Sequence, residues 1–164
     1  MHNVNPKRTM KTIYTMMALC LSILMMSACE SDLDQTVFDS DTAKAATLQN
    51  IASTYILSAD KGSETAIAFS WQKPDMGYQA EVTTTLEMDV KGKNFAGSLT
   101  LFSTKTGTTY SITTSELNES VSKLLTDYGM SSGATDIEFR LSSSISEAAS
   151  SLRSNVVSTN ITPY

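Results

Sequence analysis

The sequence predicts an all-β fold, an immunoglobulin- or fibronectin type III-like sandwich of about seven strands with one short helix between late strands. Three observations predict it. Beyond residue 50, apolar residues recur at every second position in short runs. Those runs are divided by turn-forming stretches, "KPDMG" at 73–77, "KGKN" at 91–94 and "KTG" at 105–107. One segment alone breaks the alternation with a helical period. A half-buried strand alternates core and solvent positions, and seven such strands over about 110 residues suit two packed sheets.

Taken in order, the first candidate strand is 54–58. In "TAIAFSW" at 65–71, Ile67, Phe69 and Trp71 share one face, which makes Trp71 a core residue that closes an apolar strand. "AEVTTTLEMDV" at 80–90 sets Val82, Leu86, Met88 and Val90 against an outward row of Glu81, Thr83, Thr85, Glu87 and Asp89. Strands follow at 98–104 and 108–113. "SELNESVSKLLTDYG" at 115–129 then opens on a capping-type Ser115, carries Leu117, Val121, Leu124 and Leu125 at helical spacing, and stops at Gly129. Its apolar stripe is expected to close one end of the sandwich. "ATDIEFRLSSSI" at 134–145 turns Ile137, Phe139, Leu141 and Ile145 inward, and "SNVVSTNIT" at 154–162 supplies the last strand.

The first fifty residues have a different character. Lys7, Arg8 and Lys11 precede an apolar run from Ile13 to Met26 that ends in the small residues Ser27 and Ala28, the order of an export signal. The run is shorter than the roughly 20 residues a membrane span requires. Met10 opens a complete signal by itself, so translation from Met1 and from Met10 are both open. "MSAC" at 26–29 resembles a bacterial lipobox, which implies cleavage after Ala28 and acylation of Cys29; an ordinary cysteine after a plain secretory cleavage site is the alternative. Two or three acyl chains would hold such a protein on a membrane, since each buried methylene contributes about 0.8 kcal/mol. Residues 1–28 are therefore expected to be a lipoprotein signal peptide, 29–50 an acidic tether, and 51–164 the sandwich.

Charge and composition narrow the function. All seventeen acidic residues follow Cys29, and loss of the signal reduces the twelve basic residues to nine, for a net charge of −8. That balance argues against nucleic acid, or an anionic bilayer, as an electrostatic partner. His2 is the single histidine, and Cys20 and Cys29 are the two cysteines. A mature chain without His and with its one Cys acylated supplies neither a zinc site nor a histidine base. "DLDQTVFDSD" at 32–41 lacks the central Gly and final Glu of an EF-hand loop. The pairs Glu87 with Asp89 and Asp136 with Glu138 point two carboxyls to one sheet face, where a solvated surface is expected rather than a hydrolytic cleft. No catalytic, metal or cofactor site is expected. Tyr78 and Tyr128, beside glycines near element ends, are the candidate glycan contacts.

One resemblance spans residues 29–164. The lipobox with its acidic tail, the strand ending in "FSW", "GYQAEVTTTLEMD", "NFAG", "SITTSELNESVSKLL" and "SNVVSTNITPY" together resemble the N-terminal domain of the SusE family of outer-membrane lipoproteins. The resemblance implies a non-enzymatic, surface-exposed lipoprotein of a starch- or glycan-uptake system, attached through Cys29. It would act as a spacer or accessory domain beside an outer-membrane uptake complex, with glycan bound by domains beyond this one. The alternative is a small carbohydrate-binding module that works alone through exposed aromatics and takes starch or another polysaccharide.

Overall fold

A computed structural model describes residues 42–146 and 150–164. Nine strands and one helix occur among them: β1 (Thr47–Leu48), β2 (Thr54–Ile56), β3 (Thr65–Gln72), β4 (Thr83–Val90), β5 (Leu99–Thr104), β6 (Thr109–Thr113), α1 (Thr114–Asp127), β7 (Thr135–Ser144), β8 (Leu152–Arg153) and β9 (Val157–Thr162). A single 3-10 turn lies at Ala59–Lys61. The expected sandwich is present, with two strands more than the seven expected. Both additions, β1 and β8, are two residues long.

The strands divide into two sheets. The small one has the order β1-β3-β6, and the large one β2-β9-β7-β4-β5 with β8 beside β7. Lettered as in a seven-strand sandwich, this is A, B and E against C′, C, F and G, a fibronectin type III-like division. All pairings are antiparallel except β2 with β9, where Thr54, Tyr55 and Ile56 run parallel to Asn160, Ile161 and Thr162. The longest ladder joins β4 to β7 from Thr83↔Ser144 to Val90↔Ile137.

Alternation places the core between the sheets. Ile67, Phe69 and Trp71 of β3 face Leu86 and Met88 of β4, Ile137, Phe139 and Leu141 of β7, and Ile161 of β9, all buried. Phe69 and Phe139 meet across the sheets with ring centroids 5.0 Å apart and tilted by 55°, a favourable aromatic geometry. Trp71 is a core residue, as its strand position predicts.

The helix starts two residues earlier than Ser115 suggests. Thr113 is the cap: its side chain accepts from the Glu116 N–H while Glu116 accepts from the Thr113 N–H, a closed capping box. Thr113 precedes a glutamate at the third helical position, whereas Ser115 does not, and Ser115 Oγ instead donates to the Gly62 carbonyl. Gly129 terminates the helix at φ +63°, in the left-handed region. Leu117, Val121, Leu124 and Leu125 are buried against strands of both sheets. Each such side chain contributes on the order of 2 kcal/mol by leaving water.

The ordered domain also begins before residue 51. Lys44 pairs with Asp75, and Ala46 and Leu48 enter the core. These residues fall in the 29–50 stretch expected to be tether. Their acidic neighbours hide a short apolar pair that β3 captures, with Thr47↔Gln72 and Leu48↔Trp71 in register.

Candidate functional site

The chain enters the sandwich beside the β3–β4 loop, 73–82. Asp75 and Lys44 exchange backbone hydrogen bonds of 2.6 and 2.8 Å. The Gly77 N–H donates to Asp75 Oδ1 at 2.9 Å, a local turn that aspartate forms well. Gly77 has φ +77°, and a Cβ there would lie 2.7 Å from Thr42 Oγ1, so both backbone angle and space call for glycine. Met76 is buried and anchors the loop. Held this way, Tyr78 is half-buried at the wall of an open groove of about 540 Å³ lined also by Asp75, Gln79 and Glu81. A smaller recess of about 190 Å³ adjoins it, with Lys73 and Lys105 on its rim. Lys105 meets Glu81 at 2.6 Å in a solvent-exposed pair.

Tyr128 lies at the opposite pole. As the C-cap residue that follows α1 it donates its backbone N–H to the Leu124 carbonyl. Its hydroxyl donates to Asp89 Oδ2 at 3.2 Å and accepts from the Gly97 N–H at 3.0 Å, while Lys93 Nζ lies 5.1 Å from its ring centroid. Desolvation first, and the Asp89 contact second, push the phenol above its ordinary pKa. Tyr128 thereby ties the end of the helix to β4 and to the 91–97 turn. The seven residues from Thr83 to Asp89 span about 20 Å of strand, so Tyr78 and Tyr128 stand at the two ends of β4 and do not form one platform.

The carboxylates expected on a solvated sheet face divide. Asp136 is exposed, accepts from Asn160 Nδ2 at 2.8 Å and faces Lys91 at 3.6 Å; the Asn160 bond chiefly, and Lys91 with it, hold its pKa below the usual range. Glu138 is half-buried at 3.5 Å from the Gly92 N–H. Asp89, however, is fully buried, which corrects the outward, solvated placement. Its carboxyl accepts from the Val90 N–H at 2.7 Å and from Tyr128. Glu87 is half-buried between Arg140 Nε at 2.7 Å and Arg153 at 3.3 Å. Two cations thus hold the Glu87 carboxylate in a structural ion network, while the Asp89 carboxyl is enclosed. Glycoside hydrolysis asks for the reverse, two carboxyls facing a sugar across a cleft.

Phe95 escaped the sequence reading. It follows Asn94 in the left-handed region, at φ +59° after φ +55°. Asparagine tolerates that conformation and phenylalanine does not, so the turn stores strain at Phe95. Its ring lies 3.9 Å from the Arg140 guanidinium carbon, a cation–π contact that offsets part of the cost. Nothing in "KGKNFAG" announces this; the contact depends on β7 arriving from 45 residues away.

Cys29 and Ala28 lie outside the described residues. Among those described, no group of three or more His, Cys, Asp or Glu is placed to hold a metal, and no helix is long and apolar enough to cross a membrane.

Fold and surface together define a β-sandwich module that presents open polar grooves at its poles. A family model for the SusE outer membrane protein matches residues 31–142. The chain belongs to that family, one of accessory or binding proteins of the outer membrane that serve glycan-utilisation systems. No curated protein and no solved structure matches the chain.

Proposed function

We propose that the protein is a non-enzymatic lipoprotein, cleaved after Ala28, anchored in the outer membrane by acyl chains on Cys29 and displayed at the cell surface, where it acts as a spacer or accessory domain of a glycan-uptake complex. Residues 29–43 would form the acidic tether, since Lys44 is already bridged to the domain. Family membership and the placement of the chain's two exits support this reading. Residues 42–44 enter beside the start of β4, and β9 runs out at Thr162 beside the end of β4 and the start of β7. The ten residues of β7 cover about 30 Å, so the two exits stand at opposite poles, as a spacer requires.

The test is metabolic labelling with a fatty acid. Wild-type protein incorporates label and Cys29→Ala does not; equal incorporation overturns the anchor. Added protease removes the domain from intact cells, whereas complete protection removes the surface claim. The groove beside Tyr78, with carboxyl and amide side chains around one aromatic, favours a second reading as a carbohydrate-binding module. Affinity electrophoresis on starch and other polysaccharides decides it: retardation that disappears in Tyr78→Ala supports the module, and no retardation excludes it.

A further inference from the structure

Sandwich edges are hazardous because their outer strands carry unpaired backbone groups, and proteins guard them by brevity, lysine, proline or bulges. Five strands are sheet edges among the described residues. β1, β2 and β8, with two, three and two residues, are blunted by their length. β5 (LTLFST) and β6 (TYSIT), with six and five residues, contain neither charge nor proline. They also lie on the same side of the molecule: Phe102 of β5 stacks on Tyr110 of β6 at 4.5 Å. A groove of about 250 Å³ opens between them, with Leu101, Tyr110 and Ile112 as its apolar lining and Glu116 and Glu119 on its rim. Each ladder has one register shift, but in the β4–β5 ladder the extra residue, Leu101, lies on the edge strand itself, whereas in the β3–β6 ladder it is Ala66 of β3 and β6 is unbroken from Thr109 to Thr113. β6 therefore offers the better template.

Charge identifies the occupant. Glu116 and Glu119 are both exposed, and among the described residues no lysine or arginine lies within 4.0 Å of either carboxylate. The capping box holds Glu116 below its ordinary pKa, so the rim keeps that charge at mildly acidic pH. Desolvation, with the Glu116 charge behind it, pushes Tyr110 upward, so the phenol stays neutral and apolar in the groove. An unguarded edge beside apolar side chains and an uncompensated acidic rim complements an extended segment with apolar residues and a terminal cation.

We propose that the β5–β6 edge docks an extended, basic polypeptide segment of a partner protein by strand addition to β6. The segment's apolar side chains would seat on Leu101 and Tyr110, and its cation on Glu119. The test uses the detergent-solubilised full chain and two blocked peptides of alternating valine and threonine, one with lysine at each end and one with glutamate. The lysine peptide binds at least tenfold tighter at low salt and loses that advantage as salt rises. Glu119→Lys weakens it at least tenfold, Asp136→Lys on β7 of the large sheet leaves it unchanged, and NMR amide protection on binding appears in 109–113. Equal binding of both peptides, equal effects of the two variants, or protection confined to other strands overturns the proposal. A concentration-dependent dimer that protects 109–113 without peptide overturns it in favour of a second copy of this chain.

Discussion

The amide of Asn155 does for β1 what a neighbouring strand would do. Its Oδ1 accepts from the Leu48 N–H and its Nδ2 donates to the Leu48 carbonyl, both at 2.9 Å, beside a side chain 2% exposed. Asn155→Ala leaves both backbone groups without those partners, and urea denaturation is expected to show a loss of about 1–3 kcal/mol. Gly77→Ala acts through the backbone instead. A Cβ at φ +77° is strained and meets Thr42 Oγ1, so destabilisation of about 1 kcal/mol or more is expected, and limited proteolysis within 73–82 should accelerate with it. Tyr128→Phe removes the hydroxyl that bridges Asp89 to Gly97, and a lower denaturation midpoint is the expected outcome. A midpoint equal to wild type would mean that the bridge contributes nothing to stability. Asp89 shows where alternation stops being informative. The pattern correctly sets it opposite Met88 and Val90, but the helix end and the 91–97 turn cover it, and neither neighbour is visible from the strand's own sequence.

At the scale of elements, the long strands and the helix were legible because each repeats its period several times. β3 shows three buried residues at alternate positions and β7 four. β1 and β8 contain two residues each, too few for any period, and they exist because β3 and β7 present open ladders to them. The start of the helix was misread for a related reason. Thr113 and Ser115 are both good caps, and the reciprocal bond from Glu116 decides between them. Thr113→Ala is accordingly expected to cost about 1 kcal/mol, measured by thermal melting. Ser115→Ala loses only its bond to Gly62 and should cost less. Leu125→Ala, which empties a position that is 2% exposed under both sheets, is expected to cost 2–5 kcal/mol, or roughly the usual range for such cavities. The candidate site was half legible. Tyr78 could be singled out by its place beside a turn glycine, whereas Tyr128 shares that signature and serves the scaffold.

The whole molecule carries its pH dependence at both ends of the scale. Asp60, Glu116 and Asp136 have folded pKa values below their ordinary ones, through the Ser58, Thr113 and Asn160 hydrogen bonds respectively. A depressed carboxyl contributes its stability above the unfolded pKa and loses it as pH falls through the folded one. Stability should therefore be flat near neutrality and decline below about pH 4.5. Tyr110 and Tyr128 are raised, so their contribution is complete below about pH 10 and is lost as pH rises further. Tyr110→Phe should flatten part of that alkaline limb in denaturant midpoints recorded across pH, and an unchanged limb would exclude Tyr110 from it. The parallel pairing of β2 with β9 acts on a different timescale. β2 (Thr54–Ile56) finds its sheet neighbour only in β9 (Val157–Thr162), which sits inside the large sheet between β2 and β7. Contacts this distant in sequence form late. The small sheet has all its strands by Thr113, whereas the large one is complete only when β9 inserts between β2 and β7, so closure of the large sheet is expected to be the slower event and the small sheet the first to gain amide protection during refolding.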